Sequence, residues 1–203
     1  MIGALALSYH LGTMVFFAIA GLSILGIIYS IPIVPIRLRH LWRYSKIKDV
    51  PGSKTLSVAL AWGVLISLLP LLEPTSMGWP VAILSFLYVF SIVYVRSALF
   101  DIFQVQGDLI VGVETLPIVL GEKRTLLLLK WIILFGALVL ASGAFTGLAG
   151  PFSYLLLLVF LSLRLCLLIY QKRWLYPGTR LEAMVEGNFF LAGLLALIWQ
   201  IFS

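Results

Sequence analysis

Two aspartates, Asp101 and Asp108, stand seven positions apart directly after a long apolar run that ends in "SALF". If the helix formed by that run continues, seven residues make two turns, and both carboxylates share one stripe with Gln104 between them. A charged side chain at mid-membrane costs about 2.5 to 3.5 kcal/mol, and less toward the surface, so acidic residues there usually line a cavity or a pathway. Their natural partner is a cation. Mg²⁺ accepts one or two carboxylates, keeps some of its water and completes its shell with substrate phosphate oxygens. The alternative is a pair of solvated residues at a helix end, which is the reading that position alone favours.

Arg96 precedes Asp101 by five residues within the same apolar run. An unpaired guanidinium there is costly, so it calls for an acidic partner or an anionic ligand; the alternative is a side chain that snorkels to the interface.

The elements that must position these residues are membrane helices. The chain has 203 residues, 62% hydrophobic and 11% charged, with a mean hydropathy of +1.13, far beyond the composition of soluble domains. Apolar runs recur along its whole length with no shift in composition, which predicts one membrane domain over residues 1–203. Full spans are expected at Thr13 to Ser30, Thr55 to Leu72, Trp79 to Phe100, Thr125 to Ala149, Phe152 to Tyr170 and Ala183 to Phe202, each near the ~20 residues that a crossing helix needs. Residues 1–32 carry no Lys, Arg, Asp or Glu; as one helix they would measure about 48 Å against a hydrocarbon core of about 30 Å. A break at His10-Leu11-Gly12-Thr13 resolves this and leaves an N-terminal half-span. A signal peptide fits poorly, since there is no positive n-region and further spans follow.

The loops alternate in charge. Residues 33–54 carry Arg37, Arg39, Arg43, Lys46, Lys48 and Lys54, the 101–124 loop carries Lys123 and Arg124, and the 171–182 loop carries Lys172, Arg173 and Arg180, whereas 73–78 and 150–151 carry no Lys or Arg. The positive-inside rule makes the basic side cytoplasmic. The net charge of +6 is thereby explained by orientation, and no nucleic-acid partner is expected.

Other motifs carry less. "VPGSK" at 50–54 lacks the Walker spacing and reads as a turn, with Ser53 capping the next helix and Lys54 near the cytoplasmic end of the bundle. His10 and His40 have no neighbouring ligands at metal spacing, and Cys166 is a lone core cysteine. Glu182 and Glu186 suit the start of the last span, and Glu186 with Asn188 could face a cavity.

The string "DIFQVQGDLIVGVETLPIVLGEKRT" resembles the second aspartate-rich motif of the UbiA-type intramembrane prenyltransferases, a group that includes 4-hydroxybenzoate polyprenyltransferases. Asp101, Gly107-Asp108, Gly112, Thr115, the Leu116 to Val119 stretch and Leu120-Gly121 carry the likeness, and upstream "LGIIYSIPIVPIRLRH" resembles the family's helix ending in Tyr-Ser-x-Pro. The resemblance implies an all-α membrane bundle of nine helices, of which this sequence would hold the fourth to ninth and the tail of the third. The first two helices and the first aspartate-rich motif would then come from a longer start or a separate chain, with a truncated, inactive remnant as the other outcome. Gln104 stands where many members have an acidic residue.

The chemistry implied by the resemblance is Mg²⁺-dependent transfer of a prenyl group from a polyisoprenyl diphosphate to an aromatic or lipid acceptor such as 4-hydroxybenzoate, a naphthoate, homogentisate, a tetrapyrrole or a glycerolipid. Asp101 and Asp108 would hold Mg²⁺. Arg96, Lys48, Lys54, Lys123, Arg124 and Gln104 are candidates for the diphosphate, because departure of that group needs its developing charge neutralised in a water-poor site. The allylic cation needs π faces, for which Tyr29, in the matching Tyr-Ser-x-Pro string, leads Tyr88, Phe90, Tyr94 and Phe100; each has core or lipid-facing packing as its alternative. The expected location is a prokaryotic inner or plasma membrane with the site facing the cytoplasm. A transporter or assembly subunit that uses the acidic pair for ion coupling is the competing class, against which no span carries an acidic residue at its centre.

Overall fold

The computed structural model describes residues 2–32, 46–72 and 78–202. The arginine-rich part of the first basic loop, with Arg37, Arg39, His40, Trp42 and Arg43, lies outside the described residues, as does the 73–77 connection. Among the described residues there is no strand. The helices are α1 (Ile2–Leu11), α2 (Thr13–Ser30), α3 (Ser53–Gly63), α4 (Trp79–Phe103), α5 (Val105–Val111), α6 (Leu116–Leu120), α7 (Glu122–Phe145), α8 (Phe152–Gln171) and α9 (Thr179–Phe202).

Six of these are long and apolar enough to cross a membrane: α2, α3 with its continuation to Leu72, α4, α7, α8 and α9. Helix α1 is a half-span set off from α2 by Gly12, whose φ of 148° lies in the region that favours glycine. The structure begins α7 at Glu122 and α9 at Thr179, ahead of the apolar windows expected from sequence. The added residues include Glu122 and Glu182, whose charge complements a helix N-terminus although it falls outside a hydropathy window. Beyond Gly63, α3 continues as a π-helical turn over Val64–Leu68 and a 3₁₀ turn over Leu69–Leu72. Pro70 lies in that last turn and has no N–H to donate to an α-helical ladder.

Helix α4 is the centre of the bundle, packed on α3 and α7 and touching α8 and α9. The core is built from Val95 and Leu99 of α4, Leu129 of α7, Val159, Phe160, Leu163 and Leu167 of α8 and Val185 of α9. Small residues let these helices close up, as is usual where lipid supplies no hydrophobic drive between helices. A Cβ on Gly136 would lie 2.6 Å from Phe160 Cζ and 2.9 Å from Ser91 Oγ, and one on Gly143 would lie 2.5 Å from Leu84 Cδ2. The outer surface stays apolar, with Phe17, Leu25, Leu138, Leu161 and Phe190 exposed, as expected where the solvent is hydrocarbon. Helix α2 is peripheral, with Val15 its one buried residue.

At one end of the bundle α4 stops beside the starts of α3 and α7 and the finish of α8. The Phe103 and Tyr170 rings lie 5.5 Å apart, Tyr170 Oη donates to Glu122 Oε1 at 2.9 Å, and Leu116 fills the space beside Gly52. This end carries Lys46, Lys48, Lys54, Lys123, Arg124, Lys172 and Arg173.

Candidate active site

Asp101 sits in the last turn of α4 and is 4% exposed. A carboxylate so covered needs partners, and the first turn of α3 supplies them. Thr55 Oγ1 donates to Asp101 Oδ2 at 2.6 Å, a length typical of charge-assisted O–H···O⁻ bonds. Lys54 Nζ stands 3.6 Å from Asp101 Oδ1, and its side chain is 69% exposed against 5% for that of the aspartate. The lysine thus approaches from the open side of a covered anion.

The chain reaches this geometry through a sharp turn. Gly52 adopts φ 77°, ψ −6° and opens α3, so three consecutive residues at its start point in different directions, about 100° apart. Ser53 Oγ lies 3.3 Å from Tyr29 Oη of α2, Thr55 faces α4, and Lys54 lies between them. Ser53 is the first residue of α3 and makes no capping bond; the N-cap position belongs to Gly52. The expectation that Ser53 caps the helix is therefore corrected: a cap must lie outside the helical backbone for its oxygen to reach back to the N–H groups.

After Asp101 the helix is interrupted at Gln104, whose φ of −101° and ψ of 7° separate α4 from α5. The hydrogen-bond ladder still crosses the break, with Gln104 N–H on Phe100 O at 3.0 Å and Asp108 N–H on Gln104 O at 3.0 Å. The expected continuous helix is therefore a helix with one distorted residue. Asp108 remains within electrostatic reach of Asp101, and Gln104 is exposed. Gly112, at φ 76°, ends α5, and the chain turns back so that α6 packs on α4. Thr115, directly before α6, is 5% exposed, and its Oγ1 is buried without a hydrogen-bond partner.

The remaining sequence candidates are distributed. Lys48 is exposed on the 3₁₀ turn Ile47–Asp49 that precedes Gly52. Lys123 and Arg124 are exposed at the start of α7, and Lys123 lines a separate cavity bounded by Tyr170 and Arg173 of the α8 end. Arg96 turns to α9: its Nε donates to Glu186 Oε1 at 3.0 Å, its Nη2 pairs with the same oxygen, and its guanidinium lies 4.5 Å from the centre of the Phe100 ring. Of the three outcomes open for Arg96, the structure takes the acidic partner. The pair lines a cavity of about 320 Å³ between α3, α4 and α9, with Val58, Trp62, Ile66, Val93 and Phe189 around it.

Two of the aromatic candidates of α4, Phe90 and Tyr94, form a column with Phe86. Phe86 stacks on Phe90 at 6.0 Å and Phe90 meets Tyr94 at 5.7 Å, while Tyr94, seven residues before Asp101, shares its face of the helix. Tyr88 instead makes an edge contact with Phe160 at 5.5 Å. Two residues with a distinctive setting were not singled out from sequence: Thr55, a threonine at a predicted span start that holds Asp101, and Arg164, in the interior of α8 and away from Asp101 on a cavity beside α7. Only the second carried a signal, as a charge inside an apolar run.

Among the described residues no cluster of three or more His, Cys, Asp or Glu side chains is positioned to hold a metal ion. Two carboxylates suffice for Mg²⁺ when substrate oxygens and water complete the shell. The hydroxyl of Thr55 and the ammonium of Lys54 occupy only part of the acceptor capacity of Asp101. Asp101 therefore keeps acceptor capacity of the kind a hard divalent cation takes.

A polytopic helical membrane protein with a covered, lysine-paired aspartate at one end of the bundle and a second aspartate two turns on is the class defined here. The chain belongs to the UbiA prenyltransferase family, whose family model matches residues 1–194. Membership implies prenyl transfer in general terms, in a family whose enzymes are typically Mg²⁺-dependent. No curated protein and no solved structure matches the chain.

Proposed function

We propose that this chain takes part in transferring a prenyl group from a polyisoprenyl diphosphate to an electron-rich acceptor within the membrane, with Asp101 and Asp108 at the diphosphate end. The observation that carries the reading is the treatment of Asp101: a carboxylate covered by the bundle, held by Thr55 Oγ1 and approached by Lys54 Nζ from the open side. That arrangement fixes one anion where a cation and a phosphate can meet it, beside the aromatic column of α4.

The donor's C1–O bond breaks with both electrons leaving on diphosphate. The allylic carbon then forms a bond to a nucleophilic acceptor atom, which afterwards loses a proton to a base. Asp101 and Asp108 would hold Mg²⁺, which would supply positive charge against the charge that develops on the diphosphate. Lys54, 3.6 Å from Asp101, would contribute positive charge at the same end, with Lys48, Gln104 and Lys123 as outlying candidates. Tyr29, whose hydroxyl lies beside Ser53, and the Phe86, Phe90 and Tyr94 column would offer π faces to the allylic cation, which must be shielded from water. The cavity of about 320 Å³ beside Arg96 and Glu186 has room for an aromatic acceptor and is the candidate acceptor pocket. The basic end is read as cytoplasmic.

The test is turnover of a radiolabelled prenyl diphosphate, with Mg²⁺, by membranes that contain the natural full-length protein, compared with Asp101→Asn and Asp108→Asn at equal expression. Loss of turnover in both variants supports the assignment. Retained turnover in both rejects it.

A further inference from the structure

Away from the Asp101 site, two joined cavities open along α7, α8 and the segment that follows α8. One, of about 630 Å³, opens at the basic end between Lys123, Lys130, Arg173 and Tyr176. The other, of about 640 Å³, runs deeper along the same helix pair past Trp131, Leu134, Leu138, Leu157 and Leu161. Leu127 and Lys130 line both, so the two form one channel with a cationic mouth and an apolar floor. Arg164 lines the deeper part. It lies seven residues before the end of α8, roughly 10 Å below it, and Lys130 lies at a similar depth on the antiparallel α7. Arg164 Nη1 is buried without a hydrogen-bond partner, and no carboxylate pairs with Arg164 among the described residues. A guanidinium left in that state within a membrane span is expensive.

We infer that this groove is a binding site for an anionic phospholipid, with the phosphodiester held between Lys130 and Arg164 and an acyl chain laid along Leu134, Leu138, Leu157 and Leu161. Three observations select this occupant. Basic pockets between membrane helices at the positive side are suited to acidic lipid headgroups. The groove opens sideways, since Leu127, Trp131, Leu134, Leu138 and Leu161 are all exposed on the outer face of the bundle, so a lipid enters from the bilayer without crossing protein. Glu122 is the one acidic residue lining either cavity, and it already accepts a hydrogen bond from Tyr170. The groove therefore lacks the carboxylate pair that a metal-bound diphosphate needs, whereas a singly charged phosphodiester is matched by two cationic side chains without a metal.

The experiment is native mass spectrometry of the purified full-length protein in mild detergent with equal amounts of phosphatidylglycerol and phosphatidylcholine. The wild type is expected to retain phosphatidylglycerol in at least about tenfold preference, and Lys130→Gln/Arg164→Gln to lose that preference. Lys172→Gln, whose ammonium sits over Trp174 outside the groove, is expected to keep it. If the double variant does not fold, Lys130→Gln alone, at the accessible junction of the cavities, reads the same preference. Equal retention of the two lipids, an unchanged preference in the groove variants, or an equal loss in Lys172→Gln overturns the inference. Displacement of phosphatidylglycerol by geranyl diphosphate in EDTA as effectively as by phosphatidylglycerol itself would assign the groove to a prenyl donor and overturn it too. So would a dimer that excludes lipid.

Discussion

Thr55 Oγ1 and Asp101 Oδ2 lie 2.6 Å apart, joining the first turn of α3 to the last full turn of α4 across 46 residues of sequence. The bond sets the direction of one carboxylate oxygen and leaves the other to Lys54. Thr55→Val keeps the shape and removes the donor. It is expected to lower kcat/KM for prenyl transfer by at least about tenfold, the scale of a hydrogen bond to a charged group, with Thr55→Ser retaining most of the activity. Equal activity of the valine and serine variants would show that this bond does not position Asp101 for catalysis.

Removal of divalent ions follows from the same carboxylate. EDTA is expected to abolish turnover and Mg²⁺ to restore it, and Asp108→Glu to need at least about tenfold more Mg²⁺ for half-maximal rate, because a longer side chain displaces one ligand. A titration of rate against free Mg²⁺ in wild type and variant measures the shift.

Arg96 and Glu186 form a bridge between α4 and α9 in which both side chains are about one-third exposed, 34% and 39%. Glu186→Gln leaves the guanidinium beside Phe100 without its anion. Part of the cost is screened at this exposure, so a loss of about 1 to 2 kcal/mol is expected, between the surface and buried limits. In a double-mutant cycle with Arg96→Met, a coupling near zero, read by thermal unfolding in detergent, would show that the pair does not hold α9 to α4.

Gly136 is a packing requirement. A methyl group there meets Phe160 and Ser91 at 2.6 and 2.9 Å, whereas one at Gly193 of α9 meets nothing within 4 Å. Gly136→Ala is expected to destabilise by about 1 to 3 kcal/mol through overpacking, and Gly193→Ala to be neutral or slightly stabilising. Similar unfolding temperatures for the two variants would contradict the close approach of α4, α7 and α8.

The membrane spans were legible because each depends on local composition: some twenty apolar residues in succession need no knowledge of their neighbours to form a helix in hydrocarbon. The boundaries of α7 and α9 were less so, since Glu122 and Glu182 belong to their helices for electrostatic rather than hydropathic reasons. Asp101 and Asp108 stood out because charge beside an apolar run is rare. The fate of Arg96 stayed open in the sequence, with an internal acid, a ligand and the interface equally consistent with its position.

Sequence alone determined a multi-spanning helical protein with its charge gathered in three basic connections and two aspartates seven positions apart beside an apolar run, because hydropathy and loop charge are properties of short segments. The tertiary structure decided the partners. It brought Thr55 and Lys54 to Asp101, gave Arg96 to Glu186 and left Arg164 without an acid among the described residues, on a cavity that Lys130 also lines. Each of these pairings spans tens of residues, and whether a charge in a membrane is satisfied depends on which helices the bundle packs side by side.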